Sequence, residues 1–222
     1  MTTVGVRAVL VTGAGSPTGR AVVAALADQG HQVCAADSDS DVVQALVDGV
    51  GPGVVLGVAG SGRDPDHQDD AVDYALEAFE RIDGLVNVVS TDRHGPMGVP
   101  SGWIYRVQLA WMAERGGSIT NVYPVDGTNL DAIAALVSVS TREIAMRLGP
   151  RTRVTSVVAP IDAEGPGAQV RGLRALPTRR SSELAALVLH LLSSATSEFT
   201  GRTLVARPSG GWSAVDGDPV SF

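Results

Sequence analysis

Short apolar runs alternate with helical stripes along this chain. Residues 8–12 (AVLVT) are uniformly apolar up to a closing threonine, the pattern of a strand buried on both faces. A glycine-rich turn follows, then a helix over 20–29 that Gly30 ends. Further strands are predicted at 32–36, 54–59, 85–89, 118–122, 153–159 and 203–206. Helices are predicted at 41–50, 69–81, 131–148 and 182–192. Within 69–81, Val72, Ala75, Leu76 and Phe79 share one stripe. Ser181 reads as the N-cap of the last helix, with Glu183 in its first turn. Residues 60–68, 91–102, 124–129 and 161–180 read as irregular, and the tail after Gly211 as either mobile or an oligomer contact. Such alternation calls for one α/β domain over 1–222, a doubly wound, predominantly parallel sheet with helices on both faces.

Composition narrows what this domain does. A length of 222 residues, 44% of them hydrophobic, is enough for a full core. No apolar run approaches the ~20 residues of a membrane span, and no basic leader with a cleavage site is visible at the N-terminus. One cysteine, Cys34, excludes an intramolecular disulfide and suits a reducing compartment, so a cytoplasmic location is expected. A net charge of −7 argues against nucleic acid or an anionic membrane as partner. All 17 basic residues are arginine, and the chain has no lysine. Chemistry that needs a lysine is therefore closed to this chain alone.

The turn between the first strand and first helix reads Thr12-Gly13-Ala14-Gly15-Ser16-Pro17-Thr18-Gly19. Such a turn brings backbone close to a pyrophosphate, whose charge is met by N–H groups at the helix N-terminus. Asp37, at the end of the second strand, stands about 20 residues on, as a Rossmann-type dinucleotide fingerprint requires. Its carboxylate would accept from ribose hydroxyls and repel a 2′-phosphate, favouring NAD(H) over NADP(H). Thr12, Gly13, Gly15, Ser16, Thr18, Gly19 and Asp37 are the candidate cofactor residues.

TGAGSPTG resembles the TGxxxGxG turn of the short-chain dehydrogenase/reductase family. LVNVVS at 85–90 resembles its LVNNAG strand and GGSITNV at 116–122 its GGSIVNI strand. RVTSVVAP at 153–160 and FTGRTLVARPSGG at 199–211 are similar to its last two strand motifs. The resemblance adds Asn87 to the cofactor set. It also implies pairing of helices across a dimer interface, to which the apolar helix LDAIAALVSVS is suited.

Departures from that family pattern are as telling. Pro17 replaces the middle glycine of the turn, either as a helix-starting residue after a Ser16 cap or as an obstacle to pyrophosphate. Ala59 stands where the family has an adenine-contacting aspartate, Val88 and Ser90 replace the end of NNAG, and Ile161 replaces a glycine. The family's catalytic serine, tyrosine and lysine correspond to Pro124, Leu130 and Ala134; a slip of one gives Asn129 and Ile133 for the last two. A general acid tuned by a neighbouring cation is thus missing.

Replacement chemistry centres on Tyr123, expected at the carboxyl end of the fifth strand, with Asp92 and His94 after the fourth strand and Asp126 nearby. The alternative is that Tyr123 packs over a shortened turn and His94 is a solvated loop residue. Arg171, Arg174, Arg179 and Arg180 read as a solvated loop or an anion-holding cover. Asp64, Asp66, Asp69 and Asp70 read as a solvated stretch entering a helix. His31, His67 and His190 read as structural, and no spacing suggests a metal. Three functions follow: a non-catalytic subunit, paired with itself or an active homologue; a non-redox enzyme (cyclase, dehydratase or isomerase) acting on a small molecule; and an NAD-dependent oxidoreductase with a substitute proton donor.

Overall fold

The structure, a computed structural model, describes residues 6–51, 53–89, 100–125, 129–160, 179–206, 211–215 and 219–220. Nine strands form one sheet in the order β3-β2-β1-β4-β5-β6-β7-β8-β9. They are β1 (Ala8–Thr12), β2 (Gln32–Asp37), β3 (Val55–Ala59), β4 (Gly84–Val88), β5 (Gly117–Val125), β6 (Thr152–Pro160), β7 (Thr203–Ala206), β8 (Trp212–Ala214) and β9 (Pro219–Val220). β1 to β7 are parallel. The helices are α1 (Pro17–Asp28), α2 (Ser40–Val50), α3 (Pro65–Phe79), α4 (Ser101–Val107), α5 (Ala113–Arg115), α6 (Leu130–Leu148) and α7 (Arg179–Leu192). The expected doubly wound α/β fold is what the chain adopts.

Alternation along the strands divides the core. Val9 and Val11 face α1 and α7, where Val22, Leu26, Leu184, Val188 and Leu191 pack. Ala8 and Leu10 face α3 and α4, where Val72, Phe79, Trp103, Ile104 and Met112 pack. α6 covers the latter face of β5, β6 and β7 with Ala134 and Val137. Full burial of one such large side chain contributes roughly 1.5–3 kcal/mol.

Several expectations need correction. α1 begins at Pro17, three residues early, because Ser16 caps it and accepts from Gly19 N–H. α3 begins at Pro65, capped by Asp64, so that acidic stretch is a helix start rather than a loop. Ser181 is not a cap, since α7 has already begun at Arg179. The residues after Gly211 add two antiparallel strands to β7.

Sequence reading also assigned no helix to residues 101–115. Here α4 runs into a π-helical turn, Gln108–Met112, before α5. Trp103, Ile104 and Val107 keep helical spacing, but the next fully buried side chain is Met112, five positions on. A turn widened by one residue hides the 3.6-residue period.

β5 is longer than expected, running through Pro124 to Val125. Val89 N–H donates to Val122 O, so even-numbered residues of β5 turn their backbone groups toward β4. The β4 ladder ends at Val88. Pro124 therefore omits its N–H on the β4 side, beyond the last ladder pair of β4.

At the opposite edge, buried His31 accepts from Arg7 N–H through Nδ1 (3.2 Å). Burial, then Arg7, lower the His31 pKa, with Asp83 opposing. Its stabilising contribution is complete above the unfolded value of about 6.5 and is lost as pH falls from there through the lower folded value. Urea midpoints should drop as pH is lowered from about 7.5 to about 5.5, and drop less in His31→Leu. An equal drop in the variant would show that His31 is not responsible.

Candidate functional site

The glycine-rich turn leaves β1 at the carboxyl edge of the sheet. Gly13 has φ 64°, and a Cβ there would run into the Val88 carbonyl oxygen. A Cβ at Gly19 would strike Gly13 O, so the turn and α1 close onto each other only with glycine at both places.

Most donors of this turn are committed. Ala14 N–H donates to Ala36 O (3.2 Å) and Ser16 N–H to Gly13 O (3.2 Å). Gly15 N–H donates to Asp37 Oδ2 (2.8 Å) and Gly19 N–H to Ser16 Oγ (3.0 Å). Pro17 has no N–H. Thr18 N–H has no acceptor among the described residues, as expected in a first helical turn. One backbone donor thus remains for an anion at the N-terminus of α1.

Asp37 is half-buried, and its Oδ1 accepts only a long bond from Asp39 N–H (3.3 Å). Lone pairs on that carboxylate remain for a ribose hydroxyl. Arg20 crosses the turn, donating from Nε to Gly15 O (2.7 Å).

Thr12 and Asn87 lie beneath the turn, fully paired. Thr12 Oγ1 donates to Asn87 Oδ1 (3.0 Å), and Asn87 Nδ2 donates to Asn121 Oδ1 (2.9 Å). Both are buried, so their hydrogen bonds tie β1, β4 and β5 together below the ligand edge.

Tyr123 is not at the end of its strand. It pairs in register with Val158, is 0% exposed, and packs with Val125, Ala134, Val137 and Val205. Its hydroxyl has no hydrogen-bond partner among the described residues, and burial pushes its pKa well above the ordinary phenol range. Asp92, His94 and Asp126 lie outside the described residues, as do Ser90, Ile161, Arg171 and Arg174. Arg179 and Arg180 open α7 instead of lying in a loop.

Leu130 starts α6, and Ala134 is buried one turn later against Tyr123.

A further cluster escaped sequence reading. Gln68 Nε2 donates to Gly62 O (2.6 Å), Arg106 donates to Gln68 Oε1 (2.9 Å), and Arg106 pairs with Asp69. Asp69 is thus an ion-pair partner, not simply a solvated residue. His67 meets Trp103 edge-on at 5.9 Å and lies against Gly60, where a Cβ would collide with its ring. These contacts bind α3 to α4 across nearly 40 residues, a separation no local spacing reveals.

The fold is a Rossmann-type α/β fold like that of solved short-chain dehydrogenase/reductase structures. Residues 7–99 match the family model described as short chain dehydrogenase. A short-chain type dehydrogenase/reductase from Mycobacterium ulcerans superposes with a TM-score of 0.73 at 19% identity, over 90% of this chain and 87% of that one. The 3-ketoacyl-(acyl-carrier-protein) reductase from Brucella melitensis, solved with NADH, gives 0.69 at 22% identity, over 90% and 96%. A short-chain type dehydrogenase/reductase from Mycobacterium marinum gives 0.70 at 25% identity, over 90% and 92%. No curated protein matches this chain.

Proposed function

We propose that this chain is a short-chain dehydrogenase/reductase-like subunit that performs no hydride transfer of its own and keeps a nucleotide-binding turn. One observation carries the reading. In a chain of 222 residues without a lysine, the positions that the family resemblance gives to acid and cation are Leu130 and Ala134, or Asn129 and Ile133 with a slip of one, and Ala134 is buried in the cluster that holds Tyr123. A buried phenol with a raised pKa, closed in by valines, is a poor substitute proton donor. This weakens both the non-redox and the substitute-donor readings.

NAD(H) fits the residues that remain. Thr18 N–H would meet the pyrophosphate and Asp37 the adenosine ribose, while the same carboxylate opposes a 2′-phosphate. When bound, the nicotinamide would supply a hydride. The chain's own residues would hold the nucleotide without giving or taking the accompanying proton.

The partner is a second copy or a homologue docked on α6 and α4. Leu136 (61% exposed), Val139 and Met146 lie exposed on α6, with Tyr105 and Leu109 exposed on α4 and the turn after it. Exposed apolar side chains in such number favour association.

Three outcomes are expected. Purified protein with NADH or NADPH should not reduce ketone or β-ketoacyl panels at enzyme-like rates. Turnover above ~1 per second would refute the reading. In calorimetry, NAD(H) should bind more tightly than NADP(H), and Asp37→Ala should weaken it by about ten-fold, on the order of 1.4 kcal/mol. Light scattering should give a dimer or larger assembly at micromolar concentration, reduced to monomer by Leu136→Asp with Val139→Asp.

A further inference from the structure

One transverse row of the sheet is polar across five strands. Thr12, Asn87, Asn121, Ser156 and Thr203 stand in register on β1, β4, β5, β6 and β7. The first four share the face of Leu10, Leu85, Ile119 and Val154, two residues before each. All five are buried.

Counting protons along this row leaves a remainder. Thr141 of α6 has one hydroxyl proton, which it donates back to Val137 O (2.8 Å). At its 2.7 Å contact with Ser156, the serine must therefore be the donor. Thr203 donates to Thr141 at 3.4 Å. Ser156 Oγ keeps its own lone pairs unspent.

On the other side, Asn121 Oδ1 is taken by Asn87 of β4. The planar carboxamide turns Nδ2 away from β4, toward β6, where its register neighbour is Ser156. Among the described residues Asn121 Nδ2 is buried with no partner, and so is the hydroxyl of Tyr123, two residues on along the same face. A donor and an acceptor thus face each other across adjacent strands without bonding directly. Such a separation is where a bridging water belongs. Exchanging O and N in both asparagines leaves two acceptors facing each other, which a water also satisfies by donating twice.

We propose that one internal water molecule occupies this site, accepting from Asn121, donating to Ser156 and bonded to the Tyr123 hydroxyl. Three bonds are typical of a buried water. The molecule completes a hydrogen-bonded line from Thr12, under the nucleotide turn, to the Val137 carbonyl in α6. Tyr123 then serves as a positioning residue that holds solvent rather than as an acid.

A crystal structure of the full chain, at a resolution that shows ordered water, is expected to place a peak within hydrogen-bonding distance of Asn121 and Ser156. Tyr123→Phe should raise the unfolding constant about five-fold, because a satisfied hydroxyl is lost. A dry gap between Asn121 and Ser156 would overturn the proposal. So would an unchanged or lowered unfolding constant in Tyr123→Phe, the result for an orphaned hydroxyl. Neither readout depends on nucleotide binding or activity.

Discussion

Gly13 passes so close to the carbonyl of Val88 that no side chain fits between them. Much of the architecture depends on that contact. It brings the turn across β4, places Ser16 to cap α1, and brings Gly19 onto Gly13 O. α1 is thereby set against α7, and Val22, Leu26, Val188 and Leu191 bury one face of the sheet. The same approach presents Gly15 N–H to Asp37, coupling the turn to the end of β2.

Beneath the turn, the molecule spends polarity on itself. Thr12, Asn87 and Asn121 bind neighbouring strands, and Ser156, Thr141 and Thr203 bind the sheet to α6. Above, the first turns of α6 carry Leu130 and the buried Ala134.

Much of this was legible in the sequence because it rests on short-range rules. Two-residue and 3.6-residue periods locate seven parallel strands and most helices, and the turn, Asp37 and the absent lysine are read directly. Pro17 shows the limit of such reading: its helix-starting role was visible beside an obstructive one, and the cap and first turn of α1 display the former. Other features were hidden for physical reasons. The π turn after α4 breaks the helical period between Val107 and Met112. Tyr123 was expected at a strand end because residues 124–129 read as irregular, yet β5 continues through Pro124 to Val125. The Gln68–Arg106–Asp69 cluster joins segments nearly 40 residues apart, which only the folded chain brings together.

β8 and β9 bear on how the protein behaves in a crowded solution. Without them β7 would be an outer parallel strand, lined by Leu204, Val205 and Ala206, with its unpaired backbone groups open to another chain. An apolar edge of that kind is a template for aggregation. The returning segment pairs with β7 and ends in a strand of two residues, Pro219 and Val220. Pro219 opens that strand without an N–H to donate, so β9 is a poorer template than β7. β8 and β9 thus act as an edge guard for β7, shielding its backbone groups from strand addition.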